Sequence, residues 1–186
     1  MYKRDVPKLV EYLDSTGPDG LVNIGTFVAC SIRSPISRLK QQVSDVKLNK
    51  INSKYLWGHK KNTYTYLINN KNELFNLVTS NSNSLVETFR LVREIPGFGL
   101  PKAGFFLQMC GKETACLDVH NLRDISLPHT ALKSMDEETY LALCSSKSSE
   151  QWWDDWCTKV ANSPKNKDLD TPDKVSWSHV EAVIQS

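Results

Sequence analysis

The sequence lacks several features that would assign it quickly to a class of protein. It has no apolar run long enough to span a bilayer, and its first residues carry charge where a secretory signal would be hydrophobic. It shows no zinc-ligand spacing, no internal repeat and no convincing pair of alternating strands. These absences predict a soluble cytoplasmic protein that has no membrane partner, no metal and no other cofactor.

Cysteines are few and do not suggest a disulfide framework. There are five, an odd number, and they are widely spaced along the chain: Cys30, Cys110, Cys116, Cys144 and Cys157. Isolated cysteines in apolar surroundings are typical of buried thiols in a reducing compartment. We therefore expect thiols in the interior.

Length and charge suggest one domain with a polyanionic partner. The 186 residues, 40% of them hydrophobic, suit a single domain over residues 1–186. Residues 1–93 hold 14 lysines and arginines against 7 acids, whereas residues 94–186 hold 9 against 14. The densest basic run, residues 47–61, includes Lys54, Lys60 and Lys61 and contains no acid. It predicts a nucleic-acid-binding face, although a solvated loop would have a similar composition.

Hydrophobic periodicity predicts an all-α fold. The predicted helices are residues 6–13, 21–40 with an interruption near Ser34 and Pro35, 63–79, 85–94, 102–110, 136–144, 150–161 and 173–184. Residues 14–20, 49–62 and 79–84 are predicted as breaks, as is the charged stretch 162–170. Thr171 and Pro172 have the pattern of a helix start, and Ser82 or Ser84 can cap the helix at 85.

The most informative segment is a predicted helix, a short turn and a second helix. Ile95 and Pro96 lead into Gly97, Phe98 and Gly99. Two glycines around one apolar residue permit a turn tight enough to leave backbone amides bare at the next helix start. Such amides bind anions, and a DNA phosphodiester is the natural ligand.

A lone carboxylate follows this turn at a fixed distance. Asp118 comes 21 positions after Gly97, between Leu117 and Val119. A carboxylate among apolar residues is costly to bury, so we expect it to have a specific role. Asp118 can be catalytic, it can cap a helix that starts at Val119, or it can do both.

Together these residues resemble a known family. The sequence Pro96, Gly97, Phe98 and Gly99, the helix at 102–110 and the Asp118, Val119, His120 segment are similar to the helix-hairpin-helix-GPD superfamily of DNA base-excision glycosylases. The resemblance covers residues 84–123. It implies a helical bundle, usually built as two lobes with the DNA site in the cleft between them, which this short chain would form as two small lobes or with one lobe trimmed. In that family a hairpin grips the DNA backbone and an aspartate is catalytic. The four-cysteine iron–sulfur loop of some members has no counterpart here.

The resemblance also implies roles for individual residues. Asp118 would be the catalytic carboxylate, and Lys102 would correspond to the Schiff-base lysine of bifunctional members. That lysine normally follows the first glycine by four positions, where this chain has Pro101, so Lys102 is one residue displaced. One residue turns a helical side chain by ~100°. Lys102 is therefore a candidate catalytic residue and equally a candidate phosphate contact.

The remaining candidates are DNA contacts and aromatic residues. The predicted DNA-binding set is Gly97, Phe98, Gly99, Lys102, His120, Asn121, Lys54, Lys60 and Lys61. Trp152, Trp153 and Trp156 can stack on a flipped base, but their helical spacing is equally typical of core packing.

Three functions remain open at this point. The first is DNA N-glycosylase hydrolysis of a modified or mismatched base. The second is a transferase, resembling phage relatives of the superfamily, that modifies activated hydroxymethyluracil and would work inside a host cell. The third is a DNA-binding module without catalysis. Product analysis separates the first two, because a glycosylase leaves an abasic site and a transferase leaves a heavier base.

Overall fold

Every regular element of the computed structural model is helical within the residues it describes, which are 5–31, 34–49, 58–163 and 177–186. The α-helices are α1 Asp5–Ser31, α2 Ile36–Lys47, α3 Gly58–Asn69, α4 Lys71–Thr79, α5 Leu85–Val92, α6 Leu100–Met109, α7 Val119–Asp124, α8 Glu137–Cys144, α9 Ser149–Ala161 and α10 Trp177–Ile184. A 3-10 helix spans His129–Lys133. The predicted all-α fold is confirmed.

The predicted break at residues 14–20 is present as a kink at Gly17, so that α1 consists of two helical parts joined end to end. Gly17 has φ 60° and ψ −142°, a combination that only glycine adopts readily, and Pro18 follows it. Proline suits the first turn of a helix because it lacks the amide hydrogen that would be unpaired there. Most of the second part of α1 is buried, and α1 as a whole packs against α2, α3, α4, α6, α9 and α10. It forms the centre of the fold.

Other boundaries differ from the predicted ones. The interruption at Ser34 and Pro35 is present, but α2 extends to Lys47, beyond the predicted end. The predicted helix at 63–79 is two helices that meet at Asn70, whose side-chain amide donates to the Tyr66 carbonyl at 2.8 Å. The predicted loop at 49–62 overlaps the first turn of α3. Residues 50–57, 164–170 and the predicted helix start at Thr171 lie outside the described part.

Local capping signals were predicted more successfully. Ser84 forms a capping box with Glu87 at the start of α5, and Gly111 has φ 82° just after α6. The buried apolar side chains form one cluster that includes most of α6 and the three tryptophans of α9. Among the described helices, none has the length and hydrophobicity needed to cross a bilayer.

Candidate functional site: a cavity beside the hairpin loop

The hairpin loop, residues 95–99, joins α5 to α6 and exposes both of its glycines. Gly97 has φ 80°, a conformation that favours glycine, as predicted. Gly99 has φ −87° and ψ −177°, which any residue adopts, and a Cβ added there would meet no atom within 4 Å. The expectation that Gly99 needs glycine for backbone conformation or space is therefore wrong for the protein alone.

Apolar packing against the core and a side chain of α3 hold the loop in place. Phe98 is only 5% exposed, and its ring lies 5.7 Å from that of Phe106. The Phe98 ring lies in the core and is therefore not available for the predicted contact with DNA. The Thr63 hydroxyl lies 2.6 Å from the Pro96 carbonyl oxygen and 2.7 Å from that of His59. This hydroxyl ties the loop to α3.

A cavity of about 450 Å³ lies next to this loop. Its polar lining consists of Ser31, Lys102, Asp118, His120 and His129. Its apolar lining consists of Pro101, Phe105, Cys116, Val119, Leu132 and Trp156. Three of the predicted site residues, at 102, 118 and 120, therefore line one cavity.

Asp118 caps α7 and also lines the cavity. Its Oδ1 accepts hydrogen bonds from the amides of His120 at 2.9 Å and Asn121 at 3.0 Å, so the predicted N-cap of α7 is confirmed. The side chain is half-buried and also lines the cavity. Capping restrains the carboxylate without removing it from the cavity wall.

Lys102 lies in the first turn of α6 and reaches back over the hairpin loop. Its Nζ is 3.8 Å from the position that a Cβ would take at Gly97. Burial lowers the pKa of this amine, and the charge of Lys60 lowers it further, while the Cys30 thiol acts in the opposite direction. Although Lys102 is one residue away from the family's lysine position, it still lines the cavity.

Lys60 is in the interior, although the sequence predicted an exposed DNA contact. It is 7% exposed, and its ammonium group donates to Gln42 Oε1 at 2.6 Å and to the Cys30 carbonyl at 3.5 Å. Burial lowers its pKa. Of the other predicted basic contacts, Lys61 is half-buried and Lys54 lies outside the described residues.

Asn121 is also buried, which corrects its assignment as a DNA contact. Its side-chain amide donates to the Cys116 carbonyl at 2.5 Å, and its oxygen accepts from Lys159. Lys159 also pairs with Asp124 at 2.5 Å. His120, one residue earlier, is exposed at the cavity.

The aromatic residues serve as core and as cavity wall at once. The ring of Trp156 stacks on Trp153 at 5.4 Å and lies 4.8 Å from Phe105. Trp156 and Phe105 line the cavity, whereas Trp152 is buried in the core with its indole N–H bonded to the Cys144 carbonyl.

Sequence analysis missed Phe105, His129 and Ser31. Phe105 follows Lys102 by three positions, so it shares a helical face with it and could have been found. His129 and Ser31 are distant in sequence and gave no such signal.

All five cysteines are buried thiols, as predicted. Burial raises the pKa of the Cys30 thiol to about 11, against the opposing effect of Lys60 and Lys102. Burial also raises the pKa of Cys116, the cysteine that lines the cavity, well above its usual value. The cavity therefore contains a protonated thiol, which is a poor nucleophile. Within the described residues, no cluster of histidine, cysteine and carboxylate side chains has the arrangement of a metal site.

Comparisons of the chain with protein-family models, curated proteins and solved structures found no match. What the site can do is therefore argued from its own groups. It offers a carboxylate, an amine of lowered pKa, two imidazoles and an aromatic wall around a cavity of small-molecule size. Such a set can hold a planar ring and support acid–base or nucleophilic chemistry on it.

Proposed function

We propose that the protein binds DNA and acts as an N-glycosylase on a base flipped into the cavity. The observation that carries this proposal is that Asp118 and Lys102 line one cavity beside a glycine-containing hairpin loop. No single one of these residues is specific, but a phosphate grip, a carboxylate and an amine at one place match the needs of base removal.

The shape of the cavity supports a flipped base as its occupant. Its volume of about 450 Å³ falls within the range of roughly 300–1,000 Å³ that is usual for small-molecule sites. Phe105 and Trp156 offer aromatic surface, and enzymes that extrude a base commonly bind it by stacking and by hydrogen bonds to its edge. Ser31 and His129 can supply such hydrogen bonds.

The hairpin loop supports contact with the DNA backbone. Gly99 is the N-cap of α6 and has no side chain that could cover the first amides of the helix. Pro101 has no N–H and the Ala103 amide bonds to the Gly99 carbonyl, so it is the Leu100 and Lys102 amides, with the positive end of the helix dipole, that favour a phosphate oxygen. A Cβ at position 99 would meet no atom of the described residues within 4 Å, which leaves room there for a ligand.

In this proposal Asp118 is the essential carboxylate. In hydrolysis the bond from the base nitrogen to C1′ breaks, a water oxygen bonds to C1′, and the departing base gains a proton. A fixed carboxylate can stabilise the cationic sugar or remove the proton from the water. The two amides on Oδ1 keep the Asp118 side chain in one orientation.

Lys102 has two possible roles in this proposal. An amine is nucleophilic only when neutral, and the lowered pKa of Lys102 increases its neutral fraction at a given pH. A neutral amine can attack C1′ as the bond to the base nitrogen breaks, and the amine proton passes to the departing base. Opening of the sugar ring at its C1′–O bond, with the ring oxygen taking a proton, then gives a Schiff base, and elimination of the 3′ phosphate from it cleaves the strand. A protonated amine beside Gly97 would instead contact phosphate.

The experiment compares Asp118→Asn with Asp136→Asn on duplexes that carry a panel of modified and mismatched bases. Asp136 also caps a helix, through Oδ1 and the Thr139 amide at 2.8 Å, but it is exposed and does not line the cavity. We expect Asp118→Asn to lower single-turnover base release on the order of 100-fold or more while DNA affinity holds. Asp136→Asn should retain the parent rate. Parent-like activity of Asp118→Asn would refute the catalytic role.

Product analysis of the same reactions distinguishes the alternatives. Abasic sites indicate glycosylase chemistry, and a borohydride-trapped adduct that disappears in Lys102→Arg indicates a Schiff base. An intact strand with a heavier base, formed when an activated hydroxymethyluracil substrate and an amine are supplied, would replace the proposal with the transferase. Binding without any product would leave a DNA-binding module.

A further inference from the structure

The α6–α7 connection, defined as residues 114–118, is the segment that carries Asp118. It lies directly against the middle of α6, where the Thr114 hydroxyl donates to the Gly104 carbonyl at 2.8 Å. A Cβ at Gly104 would lie 2.3 Å from the Ala115 carbonyl oxygen. Contact this close is possible only because position 104 has no side chain.

A single buried hydroxyl bridges the next part of the connection. Tyr140, from α8, donates to the Ala115 carbonyl at 2.8 Å and accepts from the Leu117 amide at 2.9 Å. Tyr140 is fully buried, and its ring lies 5.3 Å from that of Phe89. The residue that follows Leu117 is Asp118, so the hydroxyl holds the peptide one residue before the carboxylate.

The opposite side of the same segment is held by α7. Asn121 donates to the Cys116 carbonyl at 2.5 Å, and Lys159 from α9 bonds to the Asn121 oxygen. Backbone groups of three successive residues, 115, 116 and 117, are thus bonded to side chains. The path of the chain into Asp118 is fixed from two sides.

We propose that Tyr140 is a positioning residue for Asp118, and that its hydroxyl sets where the carboxylate stands in the cavity relative to α6 and the hairpin loop. The proposal rests on the proposed DNA-processing function. It assigns to α8, which does not line the cavity, a direct part in the geometry of the reaction.

Position matters here because the distance from a catalytic group to the reacting atom controls the rate steeply. A displacement of ~1 Å can lower the rate on the order of 100-fold. Without the hydroxyl, the Leu117 amide and the Ala115 carbonyl lose a buried partner. The segment is then free to shift toward other partners, and Asp118 shifts with it.

The test uses Tyr140→Phe in the full chain and measures single-turnover base release and DNA affinity separately. We expect the rate to fall about 10-fold or more, with Kd within twofold of the parent. Trp152→Phe is the matched control, since it also removes a buried aromatic donor, in this case to the Cys144 carbonyl at 2.7 Å. The control should keep the parent rate in the temperature range where all variants are folded.

A spectroscopic measurement reports the position of Asp118 without any substrate. The amides of His120 and Asn121 donate to the Asp118 carboxylate, so their chemical shifts follow its placement. We expect both signals to move in Tyr140→Phe and to stay in Trp152→Phe. Replacing Tyr140 by 4-aminophenylalanine, which retains a donor, should restore both shifts and at least a third of the rate.

The outcomes separate this inference from the function on which it rests. Loss of activity in Asp118→Asn with parent-like activity in Tyr140→Phe would overturn the positioning role alone. Parent-like activity in Asp118→Asn would overturn the proposed function, whereas unmoved amide signals in Tyr140→Phe would overturn the positioning role whatever the activity. If Tyr140→Phe does not fold, 4-fluorophenylalanine, which fills the volume of the hydroxyl, takes its place with the same expected results.

Discussion

The hairpin loop before α6 and the α6–α7 connection after it are built in opposite ways. The loop exposes both glycines, and the Thr63 hydroxyl donates a hydrogen bond to its Pro96 carbonyl. The connection is almost entirely buried, and side chains from α7 and α8 bond to its backbone. The loop leaves backbone amides exposed to a partner, whereas in the connection the Ala115 and Cys116 carbonyls and the Leu117 amide are bonded to side chains.

The difference suggests which property each region controls. Substitutions in the loop should change affinity more than the chemical step. Substitutions in the connection should change stability and the chemical step more than affinity.

The largest effect is expected at the contact between α6 and the connection. In Gly104→Ala the new Cβ would lie 2.3 Å from the Ala115 carbonyl oxygen and 2.8 Å from the Tyr140 hydroxyl. The backbone must move, so we expect the free energy of unfolding to fall by about 3 kcal/mol, near the upper part of the usual range for overpacking. Chemical denaturation measures it.

Gly58→Ala is the control for this change, because a Cβ at position 58 meets no atom within 4 Å. Its stability should stay within about 0.5 kcal/mol of the parent, as is usual for surface changes. If Gly104→Ala proved equally mild, the close packing of the connection against α6 would not constrain the fold.

The second prediction separates the two glycines of the hairpin loop. Gly97→Ala places a side chain at φ 80° and should cost about 1–2 kcal/mol in stability. Gly99→Ala should leave stability within about 0.5 kcal/mol, because its backbone is extended and the space is open. Both variants should bind duplex DNA more weakly, since the added methyl group blocks the approach of a phosphate.

Gly99→Ala is the more decisive of the two, because its effect on binding cannot be ascribed to a damaged fold. Denaturation and a binding titration on the same preparations give the answer. Affinity equal to the parent at position 99 would show that the loop is structural and that phosphate is held elsewhere.

The third prediction concerns the pH dependence of the amine over the loop. Burial lowers the pKa of Lys102, and the charge of Lys60 lowers it further. As the pH rises, Lys102 therefore becomes neutral at a lower pH than an exposed lysine does. Lys60→Met removes the second cause. The Lys102 titration, and any Schiff-base formation, should then move to higher pH.

NMR of isotopically methylated lysines follows this titration, with Lys102→Arg identifying the signal. Lys71→Met, at an exposed ion pair with Asp19, is the control and should not move it. Other titratable groups near the amine are the Cys30 thiol, His59 beside Gly97, and the cavity-lining Cys116, Asp118, His120 and His129. An unchanged Lys102 titration in Lys60→Met would show that Lys60 is only a core residue.

The smallest effect is expected at Lys61. If this half-buried lysine contacts one phosphate, Lys61→Ala should flatten the slope of log affinity against log salt by about one unit. The loss of affinity should be similar for all DNA sequences. A salt slope equal to that of the parent would show that Lys61 does not contact a DNA phosphate.

Features that depend on neighbours in sequence were predictable. Ser84, Asp118 and Gly111 each act within four residues, through caps that follow from side-chain chemistry and backbone freedom. Asp118 and Lys102 were found for the same reason, because the spacing within one segment could be read directly. The family resemblance gave each of them a candidate role, but their common cavity became visible only in the structure.

Features that depend on tertiary contacts were not predictable. Lys60 belongs to a run of lysines that reads as surface, yet Gln42 and the Cys30 carbonyl bind its ammonium group in the interior. Tyr140 lies 22 positions beyond Asp118, and nothing in the local pattern of α8 relates the two. Asn121 was likewise predicted to contact DNA, but its side chain bonds to the Cys116 carbonyl and to Lys159.

The five buried thiols can be used to report local opening of the structure around each of them. They are distributed over α1, the end of α6, the α6–α7 connection, α8 and α9. A thiol reagent can label each one only when its surroundings open, so the order of labelling ranks the local stabilities of these elements. Cys116 is a special case, because it lines the cavity and its labelling would also register whether the cavity is occupied.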